Sequence, residues 1–325
     1  MNGHWLYLFC GWFLSLLALN ACTASRPINS ALQTEPEYCV PPVAYRYDPA
    51  TAPLPNIGPL LDSALTARFP RRSLLVANAA GALPQLRELV RLEEANRKAP
   101  APAHALAVLT QRQRIATRLQ LLSVAIASVA AELDCEGERA DQVAGYLTAR
   151  ANSRSQRLTV LSIGVGAASG IGTTVSSGQA TQYIFGIGGG LLTAGLGLLT
   201  LSSHRTVPYG HPRNLLADVW QETSTSAVYP PGVWYLLTEK AFSNRGENSV
   251  AHNTRLRWQR YGELNAPESR AGRQQQALFF GAGGRYQADD LTVRANMLNE
   301  LQASVRLLNQ ELQGLLLSLD SAAGR

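Results

Sequence analysis

The chain has 325 residues, 46% hydrophobic and 16% charged, with a net charge of +6. The charge fraction is below the roughly 25% of ordinary soluble domains, which excludes a charge-driven disordered chain, yet it is too high for a polytopic membrane protein throughout. Four cysteines exclude a disulfide-stapled miniature scaffold.

The positive charge is nearly all arginine, since Lys98 and Lys240 are the only lysines. It is also unevenly placed. No acidic residue occurs from Gln142 to Ala217, a span that holds Arg150, Arg154, Arg157, Arg205 and Arg213.

At the N-terminus, Trp5 to Leu19 form an apolar run. It suits the hydrophobic core of an export signal better than a spanning helix of about 20 residues. The run ends in Leu19-Asn20-Ala21-Cys22, which resembles the lipobox of bacterial lipoprotein precursors. The resemblance implies a signal peptide over 1–21 and lipidation at Cys22. Two features depart from the pattern: Asn20 stands where Ser or Ala is usual, and Met1 to His4 contain no Lys or Arg. An uncleaved anchor helix and cleavage without lipidation are the alternatives. Export would leave Cys39 and Cys135 as one pair in an oxidising compartment, where a disulfide is expected against the alternative of two free thiols.

Residues 22–56 carry Pro41, Pro42, Pro49, Pro53 and Pro55 and read as an extended tether. Helical patterns follow over Ile57–Phe69 and Gln85–Lys98, and Ala99-Pro100-Ala101-Pro102 is a breaker. Val108, Ile115, Leu119, Leu122, Ile126, Val129 and Leu133 then fall at a and d spacing, with Arg112 the one polar intrusion. This predicts a long helix with an apolar seam. Glu132 to Gly137 read as an interruption, and a second helix is expected from about Arg139 to Arg157.

Leu158 to Ser203 contain no charge. Two arms, Leu158–Ser177 and Tyr183–Ser203, flank Gly178–Gln182, and each is long enough as a helix to cross a bilayer core of about 30 Å. Ten glycines lie in the arms. Each costs a helix about 1 kcal/mol relative to Ala, a cost that close backbone approach through small-xxx-small faces offsets. Gly166 and Gly170 form one such face, and Gly186, Gly190 and Ala194 another. The pair resembles the glycine-zipper hairpins of several bacterial envelope proteins, a likeness of composition over these residues. Membrane insertion is the leading expectation; a hairpin buried in a bundle and a β-structure are the alternatives. Arg150, Arg154, Arg157 and Arg205 flank it and are expected to meet anionic headgroups. On the periplasmic face of an inner membrane they would oppose the positive-inside bias, so an outer membrane, or insertion into a target bilayer, is expected.

Beyond the hairpin the pattern weakens. Pro212–Glu222 and Val233–Phe242 read as short helices around a turn at Tyr229–Gly232. Trp220, Trp234, Tyr235, Trp258 and Tyr261 gather here, as core or, alternatively, at a membrane interface or in a ligand groove. Leu291, Leu298, Leu301, Val305, Leu308, Leu312, Leu315 and Leu319 step by threes and fours with Arg294 at a missing d position, which predicts a heptad helix capped by Asp289 or Asp290. The uncharged e and g positions favour packing within one bundle, and the two seams could pair.

No catalytic or metal-ligating motif stands out among His4, His104, His204, His211 and His252 or the acidic residues. The expectation is a mainly α, long-helix bundle, divided at 1–21, 22–56, 57–157, 158–203 and 204–325. Its predicted role is a non-enzymatic, lipid-anchored cell-envelope protein without cofactor or metal. Membrane lipids and further copies or envelope proteins are its expected partners, with no nucleic acid. A lipid-anchored soluble binding module with an internally packed hairpin is the alternative.

Overall fold

The computed structural model describes residues 38–41, 47–201, 205–261, 264–266 and 268–323. The predicted signal peptide, Cys22 and His204 lie outside them. The fold is mainly α, as the patterning predicts.

Helix α1 (Ser63–Arg68) starts where the Asp62 carboxylate accepts the Leu65 N–H at 2.9 Å. Helix α2 (Arg71–Ala79) follows Pro70 and has no sequence forecast. Ser73 through Ala79 are all buried, and only Arg71 and Arg72 at its start are exposed, so its polar residues are too few to mark a face. Gly81, at φ +63°, turns the chain into α3 (Leu83–Lys98), and a Cβ there would collide with Thr51.

Helix α4 runs unbroken from Pro102 to Val175, 74 residues and about 110 Å. The interruption expected at Glu132–Gly137 is absent. Glu132 and Glu136 are buried and paired with arginines. Gly137 is a crossing point, because a Cβ there would lie 2.7 Å from Asn299 Oδ1. Arg112, the intrusion in the seam, reaches Glu93 on α3 at 2.5 Å. The boundary expected at 157/158 falls inside this one helix.

After a turn, α5 (Gln179–Tyr183), a π turn (Ile184–Gly188) and α6 (Gly189–Leu201) form the second arm. A short ribbon pairs β1 (Val207–Gly210) with β2 (Gly283–Tyr286), antiparallel, with Val207 opposite Tyr286. Between those strands lie α7 (Leu215–Gln221), α8 (Pro231–Thr238), α9 (Val250–Tyr261) and α10 (Arg270–Phe280). The ribbon, α9 and α10 have no forecast in the sequence. Trp234 and Trp258 are buried, and Trp220 stacks on Phe280 with centroids 4.3 Å apart. These aromatics form core, not a groove.

Helix α11 (Ala288–Leu307) lies antiparallel along α4. Asn299 meets Gly137, and Gln302 donates to the Ala130 carbonyl. The two apolar seams therefore do pair, with Ile126, Val129 and Leu133 buried on one side and Leu298, Leu301 and Val305 on the other. Its cap is Gln287, with Asp290 reciprocating at 3.1 Å in a capping box; Asp289 takes no part. The heptad run breaks at Leu308, and α12 (Asn309–Ala323) continues against α2, tied by Arg72–Glu311.

Cys39 is bonded to Cys135 in the middle of α4. Asn78 exchanges two hydrogen bonds with the Leu54 backbone, at 3.0 and 2.9 Å. The described end of the proline-rich segment is thus fastened to the body, not free as the tether reading expects. The disulfide closes a loop of 96 residues, for which the chain-entropy relation gives about 4–5 kcal/mol. Cys39→Ser is expected to lower the thermal midpoint by several degrees, and a reductant should lower the wild type to the same value. Equal midpoints with and without reductant would contradict the bond's role.

Candidate membrane interface

Past Leu147 no residue of α4 is buried, and the second arm packs along the helix. Pro102–Val175 and Gln179–Thr200 both contain stretches long and apolar enough to cross a membrane. These stretches are not core: 0% and 6% of their residues are buried. Val160, Ile171, Ile184, Leu191 and Leu198 point outward, each about two-thirds exposed.

Seven of the twenty residues in the first arm are Ser or Thr, which is costly for an apolar helix unless each hydroxyl is satisfied. Six of them donate back to carbonyls three or four residues earlier. Examples are Thr159 to Ser155 O at 2.9 Å, Ser169 to Val165 O at 2.7 Å and Ser176 to Gly172 O at 2.6 Å. Thr193 and Thr200 do the same in the second arm. Back-bonding of this kind lets a hydroxyl enter a medium without water.

The arms meet along a seam one position away from the faces the sequence suggests. Leu158, Ser162, Val165, Ser169, Gly172, Thr173 and Ser176 are the sheltered positions of the first arm, with Ser155 just before it; Gly188, Gly189, Thr193, Leu196 and Thr200 are those of the second. A Cβ on Gly189 would overlap the Ser169 side chain, and one on Gly172 would lie 2.7 Å from the Phe185 ring. These two glycines are where backbone closeness is required. Gly170 and Gly190 have nothing within 4 Å, and Gly166 and Gly186 make only ordinary contact. Gly166, Gly170, Gly186, Gly190 and Ala194 instead line one open groove along the seam, whose floor includes Ser169, Thr173, Gly189 and Thr193. The π turn shifts the helical phase between Gly186 and Gly189, and a count by fours cannot see that shift.

Ser169 opposes Gly189 and Thr173 opposes Gly186. Carried back, this register brings Leu201 level with Arg157. Arg150, Arg154 and Arg157 recur at helical spacing, Arg154 and Arg157 are exposed, and Arg205 is exposed after the returning arm. Arg150 lies over the Tyr146 ring at 5.4 Å. All four therefore gather near the base of the hairpin, and the turn at the far end carries no charge.

Where the hairpin joins the body, a buried polar cluster locks its two roots together. Arg139 on α4 donates to Glu136 at 2.8 Å and to the Gly210 carbonyl at the end of β1 at 2.9 Å. Its guanidinium also lies 4.2 Å from the Tyr209 ring centroid. Arg213 reaches Glu132 on α4 at 2.6 Å. Arg294 on α11, 1% exposed, donates to the Phe279 carbonyl at 2.8 Å and to Asn214 Oδ1 at 3.3 Å. Tyr286 gives its only hydroxyl proton to Leu278 O at 2.7 Å. His211 Nε2, 2.9 Å away, must therefore be the protonated nitrogen that donates to Tyr286. Burial, reinforced by Arg294 and Arg139, drives the His211 pKa down to about 3, so the ring stays neutral. Burial pushes the Tyr286 phenol up to about 12 and raises Glu132 despite the attraction of Arg213. In the sequence Arg294 marks itself as a break in a leucine-filled seam, and Glu132 and Glu136 read only as an interruption of the helix; their pairing is not legible there.

Among the described residues no three of His, Cys, Asp and Glu converge on a point where a metal could sit. Comparison with protein-family models, with curated proteins and with solved structures gives no match to this chain.

Proposed function

We propose that the protein is a non-enzymatic envelope component whose glycine-rich hairpin enters a bilayer, with both roots and the helical body on one side. One observation carries the reading. Two uncharged arms present their apolar side chains outward, uncovered by the body, while six of the seven first-arm hydroxyls, and those of Thr193 and Thr200, bond to carbonyls of their own helix. The first arm from Leu158 to Val175 is about 27 Å long and the second about 34 Å, against a hydrocarbon core of about 30 Å. The arginines at the base meet the headgroups, where each is worth about 1 kcal/mol on an anionic surface. A lipid on Cys22 supplies a second anchor and, with export, an oxidising compartment that keeps Cys39 and Cys135 joined. The groove of Gly166, Gly170, Gly186, Gly190 and Ala194 is the face for further copies or envelope partners. The role is structural, within an envelope complex, a transport assembly or a pore.

The test uses Cys22→Ser so that no acyl chain confuses the result. This form should stay with membranes through a high-salt wash and leave only with detergent. Adding Ala168→Lys and Leu191→Lys, both at exposed mid-arm positions, should release it, because lysine at a spanning helix centre costs about 2.5–3.5 kcal/mol. Release of Cys22→Ser by salt alone would favour the lipid-anchored binding module.

A further inference from the structure

The loop 243–249 and one face of α9 enclose a cavity of about 330 Å³, at the small end of the range that holds small molecules. Asn253, Arg257 and Arg260 recur on that face at helical spacing, and the loop sets Asn244, Arg245 and Asn248 across from them. Gly246, at φ +68°, lets the loop fold back, and its N–H donates to Ser243 Oγ at 3.1 Å. Three arginines thus line one cavity, with Glu247 the one carboxylate in the lining.

The arginines are not equivalent. Arg257 is held by Glu300 and by the hydroxyls of Thr254 and Ser304, so its position is fixed from behind. Arg245 and Arg260 have no hydrogen-bond or ion-pair partner among the described residues and reach solvent. Clustered like charges are unfavourable unless an anion joins them, and planar guanidiniums match oxyanions with paired donors. The three asparagine amides and Glu247 offer both donors and acceptors beside that centre, the set that a ring of hydroxyls requires.

We propose that this cleft binds a small phosphate ester of a sugar, with the phosphate on Arg245 and Arg260 and the hydroxyls on the asparagines and Glu247. Bilayer headgroups are the other source of phosphate, and position argues against them. Glu300, which holds Arg257, is next to Asn299, the residue that meets Gly137 on α4. Gly137 stands about 30 Å along the helix from Arg157 at the hairpin base. That is several times the screening length of about 8 Å in physiological salt.

Calorimetry on the full chain in detergent tests the assignment with a hexose phosphate, inorganic phosphate, the neutral hexose and a short-chain phosphatidic acid. The hexose phosphate should bind, and the other three should bind more weakly, each by roughly tenfold or more, the range set by losing charge-assisted hydrogen bonds. Arg245→Ala with Arg260→Ala should lose a similar factor with an unchanged helical spectrum, since both side chains are exposed. Asn248→Ala with Asn253→Ala should narrow the gap between hexose phosphate and inorganic phosphate. Unchanged binding in the double-arginine variant would overturn the site. Equal affinity for inorganic phosphate would overturn the sugar, and preference for phosphatidic acid would overturn it in favour of headgroups.

Discussion

Gly189→Leu is expected to force the hairpin arms apart, and Gly190→Leu is expected to leave them together. The glycines are neighbours, but their surroundings are opposite. A Cβ at 189 overlaps Ser169, whose own Cβ is fixed by its helix, so neither side can yield by changing rotamer. At 190 nothing lies within 4 Å. Overpacking of this kind costs about 1–3 kcal/mol or more, while leucine raises helix propensity by about 1 kcal/mol at either position. The readout is oxidative cross-linking of Gly166→Cys with Thr193→Cys, a pair already in contact across the seam. Gly189→Leu should slow cross-linking by roughly tenfold, the factor for about 1.4 kcal/mol, and Gly190→Leu should not. The reverse result would return the packing face to the Gly186, Gly190 and Ala194 row. A native gel then reports separately on whether the open groove joins copies, where Gly190→Leu should give the smaller species.

The second large effect is expected at the root of the hairpin. Glu136→Ala leaves Arg139 buried beside Arg294 with its carboxylate gone, and Glu136 and Arg139 are 5% and 4% exposed. Breaking a buried pair from one side costs about 3–5 kcal/mol. Removing both charges, as in Glu136→Leu with Arg139→Met, should restore most of that stability, because paired apolar replacements of similar volume are often neutral or better. Urea unfolding followed by circular dichroism reads both variants. A loss below about 1 kcal/mol for Glu136→Ala would mean that water reaches the cluster and that the roots are not locked by it. The double variant has a second expected consequence. Without the Arg139 bond to Gly210, the ribbon that returns from the hairpin should exchange its amides faster while the α4–α11 seam stays protected.

The parts of this fold that were legible in the sequence are those with one dominant period. The seam from Ile115 to Leu133, the matching leucines of α11 and the uncharged arms all follow it, and their pairing came from composition at the e and g positions. What was not legible failed for identifiable reasons. Helix α2 is buried from Ser73 to Ala79, and only Arg71 and Arg72 at its start are exposed. Glu132, Glu136 and Gly137 look like a breaker until Arg213, Arg139 and Asn299 arrive from sequence distances of 81, 3 and 162 residues. The C-terminal helix breaks at Leu308 although its heptads run on. In the hairpin the sequence identifies the right residue types, but a count by fours selects the neighbouring face, because a π turn intervenes between Gly186 and Gly189.

The unbroken course of α4 has a mechanical consequence. Between Leu147, where the body lets go, and Leu158, where the uncharged stretch begins, there is no proline, no glycine and no π turn, the features at which helices kink. The body and the hairpin therefore turn as one lever. Cys135 stands about 33 Å up the helix from Arg157. Spanning helices tilt by about 20° on average, and more where the bilayer is thin. A 20° tilt would sweep the disulfide sideways by about 11 Å. With the hairpin in a bilayer as proposed, the thickness of the lipid would thus be written into the lateral position of the disulfide.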